Sequence, residues 1–150
     1  MQSCRFAFAV HVLAYLAMRK DCCSSARLAE TVNTNPVVIR RLLLDLQEAG
    51  LVRTLRGPNG GAILCKKPEK ITLLQIHYAV ESPHVFGLHP NQPMEECPIG
   101  RGIQDALAYV HRRAVRSLDR ELGALTLQDV MQRLRIGRGE RGAKSLAQRQ

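Results

Sequence analysis

The stretch from Asn33 to Gly61 constrains the fold more than any other part of this chain. Asn35 is a good helix N-cap, Pro36 suits the first helical position, where no N–H is needed, and Gly50 suits the residue past the C-terminus. The helix they bracket, Pro36 to Ala49, puts Ile39, Leu42, Leu43 and Leu46 on one face and Val37, Arg40, Arg41 and Leu44 on the other. A shorter helix precedes it across the polar turn Asn33-Thr34-Asn35, with Ser25 as its expected cap and Leu28, Ala29 and Val32 on one face. Two helices joined by so short a turn, the second with outward arginines, form the helix-turn-helix pattern. Two short β-type runs follow, Leu51 to Arg56 and Ala62 to Lys67, around Gly57-Pro58-Asn59-Gly60-Gly61. Asn-Gly between such runs predicts a hairpin, because both residues tolerate positive φ. A basic hairpin directly after a recognition helix is a wing.

The rest of the chain supplies a core and an extension. Phe6 to Met18 is apolar nearly all round, with only His11 interrupting, and is expected to be a central helix covered on most sides. It is too short to span a bilayer and no small-residue cleavage site follows it, so the expectation is a cytoplasmic protein without membrane contact. Thr72-Leu73-Leu74-Gln75 has capping-box spacing and starts a helix to about Glu81 that buries Leu73, Ile76 and Val80. Ser82 to Pro98 holds four prolines and no periodicity, which marks a loop of functional length. Beyond it Ile103, Leu107, Val110, Ala114 and Leu118 recur at spacings of three and four in a helix from about Gly100 to Leu122, with Gly123 ending it. Arg112, Arg113, Arg116 and Arg120 occupy its other face. That apolar stripe is too long for one small winged helix to cover, so a second copy of the chain is expected to bury it. Thr126 caps a last short helix carrying Leu127 and Val130, and Leu134 is the last core-like residue.

The expected fold is mainly α with a small β-hairpin wing. A winged helix-turn-helix occupies 1–81, a sensor loop 82–99, dimerisation helices 100–134 and a disordered basic tail 135–150. The formal net charge of +9 points to a polyanionic partner, and the body stays basic when the Arg-rich tail is set aside. Tryptophan is absent and aromatics make up 4%, which argues against a stacking platform for single strands. Double-stranded DNA is the expected partner, read as a palindromic operator by a homodimer. Thr34, Asn35, Val37, Val38, Arg40 and Arg41 lie on the N-terminal part of the second helix, the end that enters a major groove. Ser25 joins them from the start of the first helix. Arg56, with Gly57, Asn59 and Gly60, can approach a minor groove closely, since glycines remove side-chain bulk. Lys66 and Lys67 are expected to meet backbone phosphate or nothing.

These residues resemble the Rrf-two family of winged-helix regulators, which includes the iron–sulfur cluster assembly regulator, the nitric-oxide-sensitive repressor and the cysteine-metabolism repressor. The likeness rests on Arg5-Phe6-Ala7, on Asn33 to Arg41, on Ala49-Gly50-Leu51-Val52, on the wing from Arg56 to Gly61 and on Ile71-Thr72-Leu73. It extends from Met1 to about Leu134 and implies a DNA-binding transcriptional regulator, read here as a repressor. Cluster-binding members carry three cysteines between the loop and the start of the long helix, where this chain has only Cys97. One thiolate cannot hold such a cluster, so no cofactor and no metal are expected. Cys97-Pro98-Ile99-Gly100 looks instead like the single-cysteine branch, where redox-responsive members sense oxidants or electrophiles. Ala62 stands where many members have a wing tyrosine.

The cysteines are Cys4, Cys22, Cys23, Cys65 and Cys97, an odd number with no paired framework, so free thiols in a reducing compartment are expected. At Cys97 the helix start favours a thiolate, while Glu95 and Glu96 oppose it. A redox sensor, an inert cap, and a metal ligand assisted by His77, His84 or His89 stay open there. Cys4, near the chain start, is the expected partner for an intermolecular disulfide. Cys22 and Cys23, a vicinal pair in a polar turn, read as incidental neighbours or, alternatively, a strained disulfide, and Cys65 reads as a small packing residue of the second wing strand. No catalytic constellation is visible, and Gly57 to Gly61 opens a strand and not a helix, unlike a nucleotide loop. The protein is therefore not expected to be an enzyme. A cysteine-dependent enzyme using Cys97 with His89, or a winged-helix adaptor for protein contacts, are the alternatives.

Overall fold

The computed structural model describes residues 3–134, so the expected tail lies outside the described residues. In chain order the elements are α1 (Arg5–Arg19), α2 (Ser25–Val32), α3 (Pro36–Glu48), β1 (Val52–Leu55), β2 (Gly61–Leu64), a 3-10 turn at Pro68–Lys70, α4 (Leu73–Val80), α5 (Pro98–Ala124) and α6 (Leu127–Arg133). The core gathers the apolar stripe of each of the first helices. Leu13 of α1, Leu28 of α2, Ile39, Leu42 and Leu46 of α3, Ile76 of α4 and Leu127 of α6 are all fully buried. Each such side chain contributes roughly 1.5–3 kcal/mol relative to exposure, and this is what holds these five helices around one centre. Arg5 fastens the periphery: its guanidinium donates to the Val80 carbonyl at 2.9 Å and pairs with Asp45, tying α1 to α3 and α4.

Several details depart from the sequence expectations. Ser24, not Ser25, caps α2, its hydroxyl accepting from the Arg27 N–H at 3.2 Å, and Ser25 is the first helical residue. Adjacent serines offer the same chemistry, and the chain's path into the helix decides between them. α1 is not covered on most sides. Ala9, Val12, Leu13, Ala14 and Leu16 are buried, but Ala7, His11 and Met18 are exposed along an apolar groove of about 510 Å³ that Leu73, Val130 and Leu134 also line. The long helix runs through Gly123 to Ala124 and starts at Pro98, longer at both ends than the periodicity indicated. Cys65 is exposed just beyond β2 rather than packed within it.

The hairpin pairs β1 and β2 antiparallel, from Val52 opposite Leu64 to Leu55 opposite Gly61. Its loop is not a two-residue Asn-Gly turn. Positive φ falls at Gly57 and Gly61, and the Gly60 N–H donates to the Gly57 carbonyl at 2.9 Å to close a turn around Pro58-Asn59. Five loop residues remove the need for a tight primed turn, so the unusual torsions move to its edges. Ala62 is fully buried, so this wing position is a packing position.

After α4, which begins with the expected capping box at Thr72 and Gln75, the chain runs without helix or strand to Cys97. α5 then leaves the core: among its 27 residues only Gly100 is buried. A Cβ on Gly100 would lie 2.2 Å from the Met94 carbonyl, so the loop folds tightly over the helix start only with glycine there. α6 returns to the first body. The Leu127 N–H donates to the Ile71 carbonyl at 2.8 Å, and the Leu73 N–H to Leu125 at 2.9 Å.

Candidate nucleic-acid interface

α3 presents its N-terminal half to solvent. The Asn35 carboxamide oxygen accepts from the Val37 N–H at 2.8 Å and fixes the first turn. Beyond it Val37 and Val38 are 46% and 37% exposed, and Arg40 and Arg41 are exposed with no ion pair among the described residues. Thr34 is half-buried in the turn, its N–H donating to the Ala29 carbonyl at 3.0 Å, while Asn33 adopts the left-handed conformation that ends α2. Two exposed valines beside two unpaired guanidinium groups make a surface suited to apolar and hydrogen-bonding contact together.

The wing is fastened beside this surface. Thr54 of β1 donates its hydroxyl to the Gln47 side-chain oxygen of α3 at 2.9 Å. On its other edge Cys23 and Ala62 exchange backbone hydrogen bonds at 3.0 and 2.8 Å, so β2 is paired on both sides. The loop from Arg56 to Asn59 is exposed, with Arg56 free of ion pairs among the described residues, and Gly60 half-buried. Helix and hairpin are therefore fastened together, which fixes the spacing between the exposed side of α3 and the wing loop. Ser25 sits at the first turn of α2, and Lys66 and Lys67 are exposed after β2.

The thiols and histidines do not converge. Cys97 is the N-cap residue of α5, half-buried, and makes no side-chain cap hydrogen bond. Cys4 is exposed at the start of α1. Cys23 is buried, and burial, with Asp21 nearby, pushes its thiol up from the ordinary range. His77 packs edge-on against Phe6, with ring centroids 5.7 Å apart, while His84 lies 5.6 Å from His111 of α5. Among the described residues no three His, Cys, Asp or Glu side chains are grouped to hold a metal ion. No described helix is long and apolar enough to cross a membrane.

A model of the Rrf2 family, described as iron-dependent transcriptional regulator, matches residues 2–133. The chain belongs to the Rrf2 family. YwnA of Bacillus subtilis (strain 168), by name a candidate HTH-type transcriptional regulator, is 38% identical over 135 residues, spanning 89% of this chain and 99% of YwnA. A crystal structure named for a candidate DNA-binding protein is 36% identical with a TM-score of 0.69, covering 85% of this chain and 98% of that one. The CymR structure from Staphylococcus aureus is 27% identical with a TM-score of 0.60, covering 86% and 96%. The hairpin beside α3 is thus the wing of an Rrf2 transcriptional regulator.

The iron in the family's description does not fit the residues present. Iron–sulfur clusters need three or four protein ligands, and the loop before α5 offers one thiol, Cys97. His84 and His89 also lie in this loop, but among the described residues no three His, Cys, Asp or Glu side chains are grouped to hold a metal ion. The donor set suits a thiol and not a cluster. What the sequence did not single out is the cluster of Arg19, Arg27 and Tyr15 behind the wing; its only signal was two basic residues flanking the turn between α1 and α2.

Proposed function

We propose that this Rrf2 regulator acts as a homodimeric repressor on a palindromic duplex operator, with α3 in the major groove and the wing loop in the adjacent minor groove. The observation that carries this reading is the exposed set Val37, Val38, Arg40 and Arg41 on a helix rigidly joined to a hairpin that displays Arg56. Arginine reads guanine O6 and N7, and valine meets thymine methyl groups. Arg56, beside Gly57, Asn59 and Gly60, suits the concentrated negative potential of a narrow minor groove. Thr34, Asn35 and Ser25 stand at helix starts, where backbone N–H groups favour phosphate. A regulator of this kind works in the cytoplasm, where its operator is.

The second copy is assigned to α5. Ile103, Leu107, Ala114 and Leu118 are only half-buried and Val110 is 48% exposed, so the stripe lacks cover within one chain. A two-fold partner covers it and sets the separation of the two α3 helices. The signal is assigned to Cys97 at the head of that helix. Oxidation or alkylation there changes how α5 begins, and a small tilt alters the fit to both half-sites together. Exposed Cys4 is the proposed partner in an intermolecular disulfide.

The deciding experiment is recovery of genomic fragments by the protein in reducing and oxidising conditions. A shared palindrome, lost on treatment with peroxide or quinone and retained by Cys97→Ser, supports every part of the reading. Recovery of random fragments removes sequence specificity. A Cys97→Ser protein that responds like the parent removes the sensor.

A further inference from the structure

Between the C-terminal end of α1, the N-terminal end of α2 and the wing loop lies a cavity of about 370 Å³ that shares Asn59 and Gly60 with the interface above but whose arginines that interface does not use. α1 contributes Tyr15 and Arg19, α2 contributes Arg27, and the wing contributes Asn59 and Gly60. Both guanidinium groups are held in place by neighbours and keep a donor in reserve. Arg19 uses Nε and one terminal nitrogen on Asp21, at 3.3 and 3.1 Å. Arg27 uses Nε on the Tyr15 hydroxyl at 3.3 Å and Nη1 on Glu30 at 3.0 Å. Nη1 of Arg19 and Nη2 of Arg27 have no acceptor among the described residues. Neither Asp21 nor Glu30 lines the cavity, so the carboxylates orient the cations without filling the space.

Two further features suit an anion. The Ser25 and Ala26 N–H groups in the first turn of α2 are without acceptors among the described residues, and a helix start favours negative charge. The wing is also locked at a fixed distance from α2. Cys23 and Ala62 exchange two backbone hydrogen bonds, and a Cβ on Gly61 would lie 2.2 Å from the Cys23 carbonyl. Only glycine lets the wing come this close, and that approach sets the width of the cavity.

We infer that this cavity seats one phosphate group, supplied in the operator complex by the DNA backbone. The inference rests on the duplex-DNA reading for the source of the phosphate, but not for the chemistry of the seat. Phosphate there bridges α1, α2 and the wing at once, fixing the protein's register on the duplex without reading sequence. Cys22, half-buried, lines the same cavity and so reports its occupancy.

The test is the double variant Arg19→Gln/Arg27→Gln, both at exposed positions, with folding checked by circular dichroism. Operator and random duplex should weaken alike, and the slope of log affinity against log salt should fall by about one unit per half-site. Duplex should also slow iodoacetamide labelling of Cys22 in the parent and not in the variant, read by fragmentation mass spectrometry that separates Cys22 from Cys23. An unchanged salt slope, or Cys22 labelled equally fast with and without duplex, overturns the assignment. If the parent holds no duplex at all, the DNA reading fails, and inorganic phosphate titrated against isotope-labelled protein decides the seat. Amide shifts at Ser25 and Ala26 that vanish in the double variant then assign it to free phosphate, and no shift overturns it.

Discussion

α3 and α5 are both amphipathic, and both carry arginines on the polar side, yet they are built into the molecule in opposite ways. α3 buries Ile39, Leu42, Leu43 and Leu46 within 13 residues, whereas α5 buries only Gly100 within 27. The apolar side of α3 is used up inside its own chain, and what remains outward is available for a ligand. The apolar side of α5 is still open, with Ile99 at 69% and Val110 at 48% exposure, and its direct polar tie to α4 is a 2.6 Å hydrogen bond from the Tyr78 hydroxyl to Asp119. An apolar stripe thus says that something must cover a helix, but not which molecule does so.

The strongest way to break this comparison is Leu107→Asp. We expect a monomer by light scattering, with operator affinity down about 10²–10⁴-fold because two half-sites no longer act together, and with the helical circular dichroism of the winged-helix body kept. A variant that stays dimeric would return the α5 stripe to the interior of its own chain. The converse change is Leu46→Ala in the stripe of α3, where Leu46 is fully buried. It should lower unfolding free energy by about 2–5 kcal/mol in a denaturant titration, through lost burial and a residual cavity. On the outward side of α3, Arg40→Ala should cost about 1–3 kcal/mol of operator binding with relaxed preference at one base position, and leave the melting temperature nearly unchanged. A similar loss on random duplex would make Arg40 a phosphate contact.

Smaller effects sharpen the contrast at helix ends. Asn35→Ala removes the acceptor of the Val37 N–H and should cost about 1 kcal/mol of stability. In α6 the Thr126 backbone N–H, at 2.7 Å, and the Thr126 hydroxyl hold the Asp129 carboxyl below its ordinary value. A depressed folded-state value contributes stability that is present above the unfolded value, about 3.9, and is lost as pH falls through the folded one. Asp129→Asn should therefore lower stability near neutrality and flatten the acid limb of the stability–pH curve, the two proteins converging at low pH. An unaltered acid limb would show that this cap carries no pH dependence.

Much of this architecture is local and therefore legible in the chain. Asn35-Pro36, Thr72 with Gln75, and the period of Ile39, Leu42, Leu43 and Leu46 each act within one or two turns, and each is realised as expected. The exposed Val37, Val38, Arg40 and Arg41 follow from that same period, since burying one side of α3 turns the other outward. The choice of Ser24 over Ser25 and the torsions of the wing loop were not legible, because neighbouring residues of like chemistry compete and the wider chain path selects one.

What the sequence determined by itself is the set of elements and the outward surface of α3, because capping and amphipathic periodicity are short-range. Tertiary structure alone decided that α1 keeps an open apolar side, that α6 folds back to bury Leu127, and that Gly61 brings the wing against Cys23. It also decided that Arg19 and Arg27 meet behind the wing. These are outcomes of which surfaces reach one another once the core has closed, and burial depends on all the packed elements together rather than on any one stretch of chain.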